Sequence, residues 1–185
     1  MKSLRLNRYL GGLISAFFAI SALAHDGPHG KAASSASVSQ SGQQPGQQSL
    51  KRWDFTLATL DGARFVQASK VAGPLLVNFW SRDCPPCVAE LPRLQAFARN
   101  NPSWTVLLIT TDMPSDASTF LERRKISIPS LRRGANVVGL MRSAGNTQGG
   151  LPFTVTLQEG IVCRTELGEV SDAQLVAIVA QCGKS

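Results

Sequence analysis

Cys84-Pro85-Pro86-Cys87 is the run in this chain whose residue types and spacing point most directly to chemistry. A thiolate is a nucleophile toward disulfides. A helix N-terminus stabilises it through free N–H groups and the helix dipole. The pair follows an apolar run, Leu75 to Trp80, and precedes a stretch in which Val88, Leu91, Leu94, Phe97 and Ala98 recur at helical spacing. The order is strand, short loop, cysteine pair, helix, which is the order that thiol–disulfide exchange needs. Two intervening residues let the second sulfur reach the first across one turn. The same spacing also occurs in half of a zinc site or in a simple staple. No second half of a zinc site is evident in the sequence, so the redox reading leads.

The elements around the pair follow from pattern. Trp53 to Leu60, Asp61-Gly62 and Ala63 to Val66 read as a hairpin, because Asp-Gly supplies the turn. Leu75 to Trp80 suits a central strand. The helix expected from Cys84 to about Asn100 carries Pro92, which removes one backbone donor and predicts a kink. A strand is expected at Trp104 to Thr110, a helix at Ser115 to Lys125 with Phe120 and Leu121 inward, and a short helix at Asn136 to Ser143. Gly149-Gly150-Leu151-Pro152 precedes a strand at Phe153 to Leu157. Glu159-Gly160 then turns the chain into Ile161 to Leu167. Ser171 with Gln174 forms a capping box for a last helix to Cys182. Strands alternating with helices imply an α/β fold, a central mixed sheet with helices on both faces.

The chain has 185 residues and a formal charge of +7, which fits one domain with extensions. Lys2, Arg5 and Arg8 account for part of that charge. Without them 16 basic residues face 12 acidic ones, scattered apart from Arg123-Arg124-Lys125 and Arg132-Arg133. A nucleic-acid face needs a denser basic stripe with aromatics, so no nucleic-acid partner is expected. Residues 1–24 read as a signal peptide: a basic start, an apolar run from Leu10 to Leu23, and the small-x-small site Ala22-Leu23-Ala24. The run is short for a membrane span, and an uncleaved signal anchor is the alternative. Residues 25–52 lack large apolar side chains over most of their length and read as a flexible linker. The folded domain is expected over 53–185.

Val77-Asn78-Phe79-Trp80, then Cys84-x-x-Cys87-x-x-Glu90-x-Pro92, then Gly150-x-Pro152, resemble the TlpA/ResA family of exported thioredoxin-like disulfide reductases. The resemblance runs from about Trp53 to Cys182 and implies a thioredoxin-like fold. It implies that Cys84 attacks, that Cys87 is the buried resolving cysteine, and that Glu90 is the active-site acid. It further implies that Pro152 is a cis-proline facing the pair, where it keeps the pocket open and lets the Leu151 backbone pair with a substrate strand. Asn78 stands where ordinary thioredoxins hold a buried Asp. Proton handling is therefore assigned to Glu90.

The implied activity is reduction of disulfides in periplasmic target proteins, for example in cytochrome c maturation or copper-oxidase assembly. Electrons would come from a membrane thiol transporter, with no cofactor beyond the dithiol and with the chain as a monomer. A DsbA-like dithiol oxidase is one alternative, although such proteins carry a helical insertion for which there is little room here. A copper-delivery module using the cysteine pair is the other. Plainer readings stand beside the site assignments: an exposed helix carboxylate for Glu90, a trans turn proline for Pro152, core packing for Trp80.

Many relatives carry an aromatic directly before the first cysteine, where this chain has Asp83. A carboxylate beside Cys84 disfavours the thiolate, and Arg82 can offset it. Cys163 and Cys182 lie on a strand and on the last helix. Helical and strand rises place both at one end of the packed pair, so a structural disulfide is expected over free thiols or a second relay. Cys163 is expected to share a strand face with Ile161, Thr165 and Leu167. The two histidines, His25 and His29, lie in the linker, where nitrogen ligands suit Cu(II) or are an incidental polar tail.

Overall fold

The computed structural model describes residues 51–183. The signal peptide, most of the linker and both histidines lie outside the described residues. A hairpin of β1 (Thr56–Ala58) and β2 (Phe65–Gln67) leads into β3 (Leu75–Trp80) and α1 (Pro85–Asn100). Then come β4 (Thr105–Thr110), α2 (Pro114–Arg123), β5 (Ser130–Leu131) and α3 (Val137–Ala144). β6 (Phe153–Gln158), β7 (Ile161–Leu167) and α4 (Asp172–Cys182) follow. The main sheet is mixed, in the order β5-β4-β3-β6-β7. β3 pairs parallel with β4 and antiparallel with β6, so the strand that leads to Cys84 is central.

Alternation along the strands builds two cores. Leu76, Trp80, Val106 and Leu108 face Leu91, Leu94 and Phe97 of α1, with Leu121 of α2 and Ile178 of α4. Leu75, Val77, Phe79, Ile109 and Val155 face Met141 and Ala144 of α3, with Trp53 and Phe55 from the hairpin side. Every residue of β3 is buried, so this strand has no solvent-exposed face. The polar residues Asn78, Thr110, Thr154 and Thr156 are all buried within the sheet, and Asn78 and Thr154 are register partners on β3 and β6.

Several elements depart from expectation for identifiable reasons. The first strand is shorter than Trp53 to Leu60. The Asp54 carboxylate takes N–H bonds from Phe55 and Ser69, which diverts the local backbone from a ladder. Pairing also reaches back to Lys51 and Arg52, through Val162 N–H to the Lys51 carbonyl and a bridge from Arg52 to Ile161. β5 has only two residues, too short for any periodicity to reveal. Phe120 points inward as expected but stays half-buried; it packs against the core with its ring 5.7 Å from that of Trp80.

Cys163 and Cys182 are joined as a disulfide. Contrary to expectation, Cys163 does not share the face of Thr165 and Leu167. Thr156 pairs with Arg164 but Leu157 pairs with Val162, so Cys163 is the extra residue of a β-bulge. The bulge turns it toward α4, alongside Arg164, which bonds Gln181 at 2.7 Å. The bridge ties an edge strand to the last helix across a sequence separation of 19. Loop entropy of that size predicts that replacing both cysteines with Ser costs about 3 kcal/mol. Urea unfolding of the double variant checks this, and intact mass after alkylation of the unreduced protein reports no free thiol.

Candidate active site

The cysteine pair sits where the sheet ends and α1 begins. Cys84 is the N-cap of α1, and Pro85 and Pro86 occupy its first turn. Neither proline has an N–H, so the first helical donor belongs to Cys87. That N–H points at Cys84 Sγ, 3.3 Å away. The sequence thus removes two competing donors and aims the next at the sulfur. Cys84 and Cys87 are bonded to each other, with Cα atoms 5.2 Å apart. Cys84 is partly exposed and Cys87 is 0% exposed.

The loop ahead of Cys84 is pinned from β4. Parallel pairing brings Asp112, just past β4, beside Ser81, just past β3. Asp112 accepts from Ser81 Oγ at 2.7 Å and from Arg82 N–H at 2.8 Å. The Leu151–Pro152 peptide is cis. Phe79 pairs with Phe153, so Pro152 lies one step past that pair, at the end of β3 from which the loop to Cys84 departs. Leu151 packs against the core that includes both cysteines. Trp80 is fully buried, which supports its packing role.

Glu90, one turn after Cys87 on α1, is 0% exposed, which excludes the exposed-carboxylate reading. Its Oε1 accepts from Asn78 Nδ2 at 2.7 Å and its Oε2 from Val170 N–H at 3.0 Å. Burial pushes its pKa up, and Glu169 adds to the rise. The two N–H bonds and the positive charge of Arg93 work against it without reversing it. Arg93 also fixes the Val170 donor: it bonds the Val170 carbonyl at 2.7 Å and pairs with Glu169 at 2.8 Å and Asp172 at 3.2 Å.

Asp83 projects outward with its side chain 83% exposed, 3.8 Å from Arg82, which also reaches Asp116 at 3.2 Å. Exposed charges act weakly and are screened by salt. Asp83→Asn is therefore expected to raise the alkylation rate of reduced Cys84 only about two- to threefold at low salt. The gain should vanish at ~1 M salt; rates of iodoacetamide uptake at two ionic strengths test it. Among the described residues, no group of three or more His, Cys, Asp or Glu is placed to hold a metal ion.

The sequence profile of the AhpC/TSA family matches residues 51–160, which hold β1 to β6, the cysteine pair, Glu90 and Pro152. The chain belongs to the AhpC/TSA family. Its fold is thioredoxin-like, in keeping with the TlpA/ResA resemblance. A thioredoxin-related protein from Neisseria meningitidis serogroup B is 30% identical with a TM-score of 0.60, covering 67% of this chain and 96% of that one. The soluble secreted antigen MPT53 of Mycobacterium tuberculosis is 34% identical over 89 residues, 48% of this chain and 51% of the antigen. The sporulation thiol-disulfide oxidoreductase A of Bacillus subtilis is 30% identical over 81 residues, 40% of this chain and 48% of that protein. The chain spans about half the length of these curated relatives.

The sequence reading expected Glu90 to share the helical face of Cys87 and Pro152 to be a cis-proline facing the pair; Glu90 is buried one turn after Cys87, and the cis Leu151–Pro152 peptide lies at the end of β3 from which the loop to Cys84 departs. That reading missed Asp112, Thr154 and the Val170 N–H. Asp112 had a usable signal, since parallel neighbours end together. The Val170 donor had none, because a backbone group leaves no mark in a sequence.

Proposed function

We infer that this chain is a thiol–disulfide oxidoreductase that reduces disulfides in exported target proteins. The observation that carries this reading is the Cys84–Cys87 disulfide at the N-terminus of α1, with one sulfur accessible and the other buried. In the reduced protein, the Cys84 thiolate is held by the helix N-terminus and attacks one sulfur of a target disulfide. An S–S bond forms between Cys84 and the target, and the first target sulfur leaves as a thiolate. Cys87 gives its proton to Glu90 and attacks Cys84 Sγ, expelling the second target thiolate. Two electrons pass to the target, both target thiolates take up protons, and the protein ends with Cys84 bonded to Cys87.

Pro152 shapes the wall beside the pair and leaves the Leu151 backbone to align the target strand. Targets of the cytochrome c maturation or copper-oxidase assembly kind, and a membrane thiol donor, fit this chemistry. Residues 1–24 direct export to the periplasm and residues 25–52 tether the domain in this reading. The secreted character of the MPT53 antigen supports it. Direction follows from potential, at about 30 mV per 1.4 kcal/mol for a two-electron couple. Equilibration with glutathione buffers, followed by insulin reduction with a chemical thiol donor, tests the assignment. A couple more reducing than the glutathione pool together with catalysed insulin precipitation is expected; absence of catalysis overturns it.

A further inference from the structure

Asn78 is fully buried against Glu90, yet the reaction above gives it no task. Its amide nitrogen donates to Glu90 Oε1 at 2.7 Å and to Thr154 Oγ1 at 3.0 Å. Its amide oxygen is buried with no hydrogen-bond partner among the described residues. A buried carbonyl oxygen left unpaired is a cost that proteins rarely keep without reason. The donors around Glu90 suit its carboxylate form, since both oxygens accept N–H bonds.

A protonated Glu90 must instead donate from one oxygen. The Val170 N–H cannot accept, and it is held in place by the Arg93 contacts. Asn78 is the partner that can change from donor to acceptor, because a half turn of its amide exchanges nitrogen for oxygen. Thr154 can follow the exchange: its hydroxyl accepts from Nδ2 now and can donate to Oδ1 afterwards. Register pairing of Asn78 with Thr154 on adjacent strands keeps the two side by side throughout.

We propose that Asn78 is a positioning residue whose amide turns over as Glu90 gains or loses its proton, donating Nδ2–H to the carboxylate and accepting the acid's O–H at Oδ1. The turn keeps Asn78 bonded to both Glu90 and Thr154 in either state of the acid without moving the backbone, and in the turned state Nδ2 takes the place of Oδ1 on the side where the described residues offer no partner. The charged groups that act on Glu90 are Arg93 on α1 and Glu169 ahead of α4, and Cys87 stands one turn earlier on α1. From β3 and β6 the hydrogen-bonded groups are the neutral Asn78 and, through it, Thr154. The proton itself passes between Glu90 and Cys87, so this inference rests on the reading of Glu90 given above.

The full-length protein with Asn78→Ala, Thr154→Val and Glu90→Gln tests both, and the two fail differently. Infrared pH titration of the oxidised protein reads Glu90 without thiol titration. The pH profile of insulin reduction reads the exchange. Bonds to a charged group are the stronger ones, so losing Nδ2–H favours the neutral acid. Asn78→Ala is expected to move the Glu90 inflection upward by ~0.5 pH or more. It should also raise the C=O stretch of the protonated carboxyl, whose O–H has lost its acceptor. Thr154→Val, nearly isosteric, should shift both in the same direction by less, and it decides alone if Asn78→Ala does not fold. Unchanged inflection and stretch in these variants, with the inflection erased by Glu90→Gln, overturn the role of Asn78 and leave the Glu90 reading standing. An exchange profile unaltered by Glu90→Gln overturns both.

Discussion

Cys84→Ser is expected to lower insulin reduction by on the order of 10³-fold or more, and Cys87→Ser to stop the reaction at a covalent adduct. The asymmetry follows from exposure. Cys84 is partly open and caps α1, whereas Cys87 is closed off under the helix. A target disulfide can meet only the first sulfur, so without it Cys87 has no route to the substrate. Without Cys87, Cys84 still attacks and forms the mixed disulfide. What is lost is an internal thiol held close by its own helix turn, whose effective concentration far exceeds that of thiols in solution. The Cys84-linked species should therefore accumulate and be recoverable by non-reducing gel and mass spectrometry. Cys84→Ser with full activity, or Cys87→Ser with turnover and no adduct, would sink the exchange mechanism.

Much of this site was legible because its parts are local. Cys84, the two prolines, Cys87 and Glu90 fall within one helix start, where spacing alone fixes who shares a turn. β3 was legible because six consecutive apolar or buried residues flanked by turn signals leave little choice. The capping box of Ser171 and Gln174 was read from side-chain types and is present in both directions. What the sequence concealed depends on pairing. Cys163 was assigned by strict alternation to the face of Thr165, and one inserted residue opposite Thr156 and Leu157 turned it the other way. A bulge has no composition of its own here. Thr154 reads as an ordinary strand residue until antiparallel register sets it beside Asn78. The environment of Glu90 likewise required α4 to return, since the loop held by Arg93 supplies its second donor.

Glu90→Gln is expected to make the protein more stable and less active at neutral pH. Burial raises the folded-state pKa of Glu90 above its ordinary value, so the folded chain binds this proton more tightly than the unfolded one. For a carboxyl raised in this way, stability is highest at and below the ordinary carboxylate range. It falls as pH climbs from there to the raised value, and is flat beyond it. Gln has no such proton, so its stability should not slope across that window. The gap between variant and parent should widen by about 1.4 kcal/mol for each pH step of one within the window. It should close near the ordinary carboxylate range. Gln also matches the protonated acid in shape: its oxygen can keep the Val170 N–H, and its amide can donate to a turned Asn78. Exchange, by contrast, loses the group to which the proposed mechanism gives the Cys87 proton. Insulin reduction near neutral pH is expected to drop about 10- to 100-fold. Urea midpoints and turnover rates measured across the same pH series test the pair of effects. A merely structural carboxylate would lose stability and activity together; a buried proton acceptor would separate them, because the desolvation that costs stability also favours the protonated form of Glu90.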